Sequence, residues 1–370
     1  MDAPANNENA FKPLYKFYKH LPYEAFDEYA FRPSSAPETA NLIDPLFLDE
    51  YEELHPGDVT VSSFLYTQET VDALGAFIYD SKSQVGVGSV SSYLDSTYSE
   101  IRVASVPGLR IYPGILLPDL QRQLIVNVIE EYLPPKDHLT NLHPSYTIPE
   151  PFNLFGYPSD LKIMPSQTSS TPAQTPTTLD ALQSRKLRWV TLGGQYNWTT
   201  KQYPSWEPHT KGFPDFPHSL TTLLRGLSSS IFKSSLVPEA SIINFYSDGD
   251  ILSPHQDVAE KSHADLASLS IGCEAVFFCG LDKSKPPLQI RVRSGDIILM
   301  GGESRFAYHG VGRVWDRTAP DYLTEFDYTN NILPSNPKTC AAPEVCRGRE
   351  NYSEWILSKR INLNIRQMLD

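Results

Sequence analysis

The sequence predicts an α+β protein whose C-terminal third is an antiparallel double-sheet jelly roll, backed by supporting helices and preceded by an N-terminal extension. Three observations predict this. From Ser241 onward, short β-rich runs near 241–247, 266–279, 287–293, 295–300, 304–309 and 360–367 alternate with Gly, Pro and Asp turns, the pattern of a two-sheet core. Upstream of them, two stretches place apolar residues at helical spacing. Finally, residues 1–100 hold 17 acidic against 5 basic side chains, so almost all of the net charge of −13 sits there. A Gly- and Ser-rich stretch, Ser83 to Ser99, marks the boundary. We therefore divide the chain into an acidic extension with short helices, 1–105, and a main domain, 106–370.

Residues 10–21 bring Phe11, Leu14, Tyr15, Phe17, Tyr18 and Leu21 to one helical stripe. This reads as a short amphipathic helix packed on the body, in preference to a contact for protein partners. Residues 22–58, acidic and Pro-containing, read as irregular. Thr67 to Ser81 forms a helix around Val71, Leu74 and Ile78 despite Gly75. Pro107 to Tyr112 is the first strand of the main domain. Pro118-Asp119 opens a helix with Leu120, Leu124, Ile125, Val128, Ile129 and Tyr132 on one face, stopped by Pro134-Pro135. Ser166 to Thr178 is a polar loop without core-forming residues. A second helix, about 219–234, buries Leu220, Leu223, Leu224, Leu227 and Ile231. Thr318 to Glu354, with four Pro and two Cys, is an insertion before the last strand.

At 370 residues the chain can bury a substantial core, and 40% hydrophobic with 20% charged residues is ordinary for a soluble protein. No apolar run is long enough to span a bilayer, so no membrane is expected. The first residues are neither a signal nor a transit peptide. The four Cys, at 273, 279, 340 and 346, lack zinc spacing, and Cys273 and Cys279 are expected as free core thiols. Together these point to an intracellular protein of nucleus or cytoplasm, expected as a monomer. Residues 101–370 are close to neutral. They can carry a local basic rim but not a broad polyanion-binding surface.

Chemistry enters with His255-Gln256-Asp257, a distant His309, and Arg360-Ile361-Asn362-Leu363-Asn364-Ile365-Arg366. A His and an Asp two apart share one side of an extended segment, and the second His can complete a set. Two imidazoles and one carboxylate on one face of a metal leave the opposite positions open, as in non-haem Fe(II) oxygenases. An isolated H-x-D is far more often a turn. The last strand puts Arg360, Asn362, Asn364 and Arg366 on one face and Ile361, Leu363 and Ile365 on the other. By itself that polar face reads as an exposed strand surface; as a pocket wall, its two guanidinium forks suit a dicarboxylate such as 2-oxoglutarate.

The order of these motifs carries a resemblance. Asn244-Phe245-Tyr246, His255-Gln256-Asp257, Ser268 to Gly272, Gly295-Asp296, Gly301 to Arg305, Tyr308-His309-Gly310 and Arg360 to Gln367 resemble the AlkB family of Fe(II)/2-oxoglutarate dioxygenases. The likeness is close over the last third and looser through Leu187 to Gly193 and Tyr196-Asn197-Trp198. That stretch, with Ala10 to Tyr18, is most similar to the eukaryotic homologue-1 branch. The resemblance implies a double-stranded β-helix core at about 241–370 and a lid at about 185–210. It implies Fe(II) on His255, Asp257 and His309, with 2-oxoglutarate on Asn244, Tyr246, Arg360, Asn362 and Arg366, and O2 as co-substrate. In the lid, Trp198, Tyr196 and Tyr203 become candidates to stack on a flipped base, whereas Trp189 reads as core.

One departure bears on specificity. The bacterial repair member has an acidic residue two positions after the metal-binding Asp; here that residue is Ala259, and Glu260 points the other way if the segment is extended. This favours a neutral base such as N6-methyladenine over a charged one. The expected activity is oxidative demethylation of methyladenine in nucleic acid, RNA before DNA, with release of formaldehyde, succinate and CO2. The alternative is oxidation of a histone or ribosomal protein side chain, the acidic extension attracting a basic polypeptide.

Overall fold

A computed structural model describes residues 9–85, 93–94, 96–166, 175–197, 200, 203, 214–328, 332–334 and 351–370. Two sheets dominate. The larger is antiparallel, in the order β2 (Val59–Leu65), β4 (Thr97–Val103), β5 (Leu109–Tyr112), β14 (Ile297–Met300), β11 (Leu266–Gly272), β17 (Arg360–Arg366), β9 (Ala240–Tyr246), β8 (Trp189–Gly193). The smaller runs β1 (Leu42–Ile43), β13 (Leu288–Val292), β12 (Ala275–Gly280), β15 (Tyr308–Val314), β10 (Leu252–His255), antiparallel except for the β1–β13 pair. Two small two-stranded antiparallel sheets complete the strands, β3 (Ser83–Val85) with β16 (Ile332–Pro334) and β6 (Lys162–Ile163) with β7 (Thr177–Thr178). The structure is thus α+β with antiparallel sheets.

Strand alternation decides how the sheets meet. Ile101, Leu109, Ile111, Leu266, Ile298 and Met300 of the larger sheet form one buried cluster with Ala275, Phe277, Leu288, Ile290, Val292 and Val311 of the smaller. The opposite face of the larger sheet, with Ile271, Leu299, Ile361, Leu363 and Ile365, joins a second cluster with α4 (Gln68–Asp80), α5 (Pro118–Asn127) and α7 (His218–Leu227). Pro118 opens α5 as expected of a residue with no N–H to satisfy. Helix α4 packs on α7 at Gly226, where a Cβ would come within 2.2 Å of the Ala73 Cβ.

A third cluster covers the outside of the smaller sheet. Here α1 (Phe11–Tyr18) and α2 (Tyr23–Phe31) bury Phe11, Leu14, Tyr18 and Phe26 against Val276, Phe278 and Trp315. Phe26 stacks on Trp315 at 4.0 Å. The layers are therefore arm, small sheet, large sheet and helices. Among the described residues, no helix is long and apolar enough to cross a membrane.

Several expectations need correction. Residues 22–58 are not irregular: they hold α2, β1 and α3 (Asp49–Leu54), because Phe26 and Ala30 find a buried surface that the local sequence does not reveal. The run 304–309 is not one strand. Residues Gly302–Phe306 form a 3-10 turn, with Gly302 at φ +52° and Ser304 bonded to the main chain of Gly301, and the strand starts at Tyr308. The run 266–279 is two strands, split where Gly272 takes φ +88°. The larger sheet also crosses residue 105, since β2 of the acidic extension pairs with β4, and β4 with β5. Most of the loop 166–178 and much of the insertion 318–354 lie outside the described residues. The insertion's described parts include α8 (Asp321–Thr324) and α9 (Tyr352–Leu357).

Candidate active site

Strand β17 supplies the floor. In register, Arg360 faces Tyr246, and Asn362 faces Asn244 on β9 and Ser270 on β11. Directly opposed residues share a sheet face, so all of these, with Arg366, point toward the smaller sheet. Arg360, Asn362 and Arg366 are 2%, 4% and 6% exposed, which rejects the reading of this strand as a solvent surface. Asn362 donates to the Ser268 Oγ at 2.9 Å and the Leu269 carbonyl at 3.0 Å. Arg360 donates through Nη2 to the Ser270 Oγ at 2.9 Å and lies over the Tyr246 ring. Its Nε and Nη1 are buried with no partner among the described residues. A buried guanidinium with two vacant donors is costly, and an anionic carboxylate is the group that would satisfy it.

The smaller sheet supplies the other wall. β10 and β15 pair so that His255 and His309 lie opposite each other, ring centroids 4.4 Å apart. Each imidazole has its Nδ1 3.0 Å from a main-chain carbonyl, that of Ser253 or Ala307. A carbonyl only accepts, so both Nδ1 atoms carry a proton and both rings turn Nε2 toward Asp257. Those Nε2 atoms lie 3.7 and 3.8 Å from the two carboxylate oxygens of Asp257. One ligand atom from each of the three residues falls within 4.8 Å of the others. Two imidazole nitrogens and a carboxylate suit Fe(II), and the vacant donors of Arg360 suit a dicarboxylate, so the residues fit both groups.

Electrostatics keep Asp257 and His309 in ligand form. Burial alone would raise the Asp257 carboxyl, but the Arg366 guanidinium and both imidazoles overcome it and hold the group well below the usual carboxylate range. Arg366 Nη2 donates to Asp257 Oδ2 at 2.6 Å. Burial pushes His309 down to about 4, against the pull of Asp257, so its imidazole is neutral at pH 7. Burial also lifts Tyr246 to about 12, leaving a neutral hydroxyl.

The lid candidates separate. Tyr203 reaches the pocket: its hydroxyl accepts from Arg366 Nη1 at 3.3 Å, and its ring meets Tyr196 edge-on at 5.3 Å. Trp198 lies outside the described residues. Trp189, expected as core, is half-buried and opposite Asn244, hence on the same sheet face as the site. Of the basic residues around the lid, Arg188 is paired with Asp250 and Lys186 donates to the Tyr146 hydroxyl.

Two residues escaped the sequence reading. The chain after Asp257 is not extended, and Glu260 turns inward, 8% exposed, onto Arg305 and Arg366. Arg305, 2% exposed, also donates to the main-chain carbonyls of Asp257 and Ala264. The only signal was Arg305's place in the Gly301 to Arg305 run, which assigns it no partner.

Residues 159–366 match the 2OG-Fe(II) oxygenase superfamily. The chain is 33% identical over 290 residues to the N6-methyladenosine RNA demethylase ALKB1 of Pyricularia oryzae, covering 71% of this chain and 75% of that protein. It is also 33% identical over 268 residues to the tRNA demethylase abh1 of Schizosaccharomyces pombe, covering 71% of this chain and 79% of the relative. Among solved structures, that of OsALKBH1 aligns with TM-score 0.41 and 20% identity, over 70% of this chain and 97% of that one.

Proposed function

The chain belongs to the AlkB family within the 2OG-Fe(II) oxygenase superfamily, and from that footing we propose that it demethylates N6-methyladenine or another methyladenine in nucleic acid, RNA before DNA. It is an Fe(II)/2-oxoglutarate dioxygenase. The observation that carries the reading is the buried Arg360 with two vacant donors, on the face that confronts His255, Asp257 and His309.

In this reading His255, Asp257 and His309 hold the iron. Arg360, set by Ser270, anchors one carboxylate of 2-oxoglutarate. Asn244, Tyr246 and Asn362 line its path, and Arg366 meets the end nearest Asp257. When bound, iron couples decarboxylation of 2-oxoglutarate to oxygen insertion at a methyl group, which leaves as formaldehyde with succinate and CO2 as co-products. Everything else is the protein's work. The main-chain carbonyls of Ser253 and Ala307 fix the imidazole tautomers. Arg366 turns the Asp257 carboxylate. The two facing sheets, which we read as a double-stranded β-helix, bury Arg360, Arg366 and His309 between them. Tyr196 and Tyr203, whose rings meet edge-on, form a stacking wall for a base.

Two observations support a neutral base. Ala259 offers no charge, and the nearby Glu260 carboxylate is engaged by two guanidinium groups. The two relatives, an N6-methyladenosine RNA demethylase and a tRNA demethylase, support RNA. A monomeric enzyme of nucleus or cytoplasm completes the proposal, with the division at residue 105 kept for its charge and the acidic extension available to protein partners.

The test is nucleoside mass spectrometry after incubation with mixed methylated RNA and DNA, Fe(II) and 2-oxoglutarate. Selective loss of methyladenine from RNA is expected. Unchanged nucleosides, with succinate formed on histone or ribosomal protein instead, would replace this reading with the protein-oxidation one.

A further inference from the structure

Asp257 is the least anchored of the three candidate ligands by secondary structure. It lies beyond the end of β10, in a segment without ladder hydrogen bonds. His255 and His309, by contrast, sit on paired strands. Something other than the sheet must hold the carboxylate, and the structure shows a closed circuit that does. Arg366 Nη2 donates to Asp257 Oδ2 at 2.6 Å. Behind it, Arg366 Nε lies 3.4 Å from Glu260 Oε1, an ion pair without hydrogen-bond geometry. Glu260 Oε2 accepts from Arg305 Nη2 at 3.2 Å. Arg305 Nη1 then donates to the main-chain carbonyl of Asp257 at 2.8 Å. The circuit starts on the side chain of Asp257 and ends on its backbone.

We propose that Glu260 and Arg305 are positioning residues for the metal ligand Asp257, acting as one unit with Arg366. The inference rests on the metal-centre reading above and deepens it. The two carboxylates and two guanidinium groups of the circuit cancel, so it buries no net charge. Glu260 matters most through Arg366. By sharing that guanidinium it limits the hold of Arg366 on Asp257, leaving the carboxylate free to turn to a cation. Without the Glu260 charge, Arg366 collapses onto Asp257 and competes with the metal. Without the Arg305 fork, the Asp257 backbone loses its tether. A buried ion pair is weak evidence of stabilisation, so a purely structural role predicts a change in melting temperature and none in metal affinity.

The experiment is calorimetric titration of the full chain with Mn(II), with a thermal melt of each metal-free variant. Glu260→Gln keeps the shape and removes the charge; Arg305→Lys keeps the charge and loses the fork. Each is expected to weaken Mn(II) by roughly ten- to a hundredfold, the usual cost of removing a partner behind a metal ligand. The double variant is expected to be no weaker than the weaker single one, because the residues act in one circuit. Wild-type Mn(II) affinity in Glu260→Gln, whether or not its melting temperature falls, overturns the proposal. If Glu260→Gln does not fold, the same titration on Arg305→Lys decides by the same criterion. Asp257→Ala separates the two levels. If it binds Mn(II) like the wild type, the metal centre itself is misplaced; if it loses Mn(II) while Glu260→Gln does not, only the circuit fails.

Discussion

At the scale of the residue, function rests on which polar groups are buried without a partner. Arg360 and Arg366 lie on one strand face but in different states. Arg360 has two vacant donors, whereas Arg366 donates through Nη2 to Asp257 and through Nη1 to Tyr203, leaving only Nε, ion-paired with Glu260, without a hydrogen bond. A carboxylate reaching Arg360 gains a charge-assisted contact worth roughly 1.5–3 kcal/mol. Arg360→Ala is therefore expected to raise the 2-oxoglutarate concentration for half-maximal turnover by about ten- to a hundredfold. Arg366→Ala is expected to do so as well and also to weaken metal binding, since it breaks the circuit that positions Asp257. A 2-oxoglutarate titration beside a Mn(II) titration on both variants checks this; an unchanged 2-oxoglutarate curve for Arg360→Ala would remove the pocket assignment. The triad and the arginine strand were legible in the sequence because residue type and strand period constrain them. The direction of Glu260 was not, because alternation holds only in extended chain and the backbone turns after Asp257. The burial of Arg360 was also illegible, since period two separates two faces without saying which one meets another sheet.

At the scale of the element, the turns decide as much as the strands. Asp296, at the Gly295-Asp296 turn into β14, accepts from the main-chain N–H of Gly114 at 2.8 Å and of Arg293 at 2.7 Å. It ties the start of β14 to the loop after β5. Burial pushes its carboxyl up to about 6 despite those donors. A folded-state value above the unfolded one means the native state keeps the proton longer. This group's contribution is thus full below about pH 4 and lost as pH rises through about 6. The loss is on the order of 3 kcal/mol. Asp296→Asn cannot titrate, so its stability relative to wild type should improve as pH rises from 4 to 7. Urea unfolding at several pH values measures this, and parallel pH profiles for the two proteins would refute it. The helices α4, α5 and α7 were legible because apolar spacing and Pro118 mark them. The strand at 304–309 was misread because β-rich composition does not distinguish a strand from the 3-10 turn that Gly302 and Ser304 make.

At the scale of the whole molecule, four layers put the two walls of one pocket on different sheets. β17 of the larger sheet carries the arginines, and β10 and β15 of the smaller carry the histidines. Neither sheet makes the site alone. The arm stiffens the assembly from outside: the Tyr15 hydroxyl of α1 donates to the Leu252 carbonyl, at the start of the strand that carries His255. The alternation of antiparallel strands was readable from sequence, but this use of the arm was not, because the contact joins residues 237 positions apart. The central claim is that the two walls act together on a methylated base. It is tested most directly by counting products from an N6-methyladenine RNA oligonucleotide, formaldehyde and succinate in the same reaction. The account predicts matched amounts of both, abolished by omitting Fe(II) or 2-oxoglutarate and by Asp257→Ala in protein that stays folded. Demethylation that persists without 2-oxoglutarate, or at wild-type rate in Asp257→Ala, would contradict it.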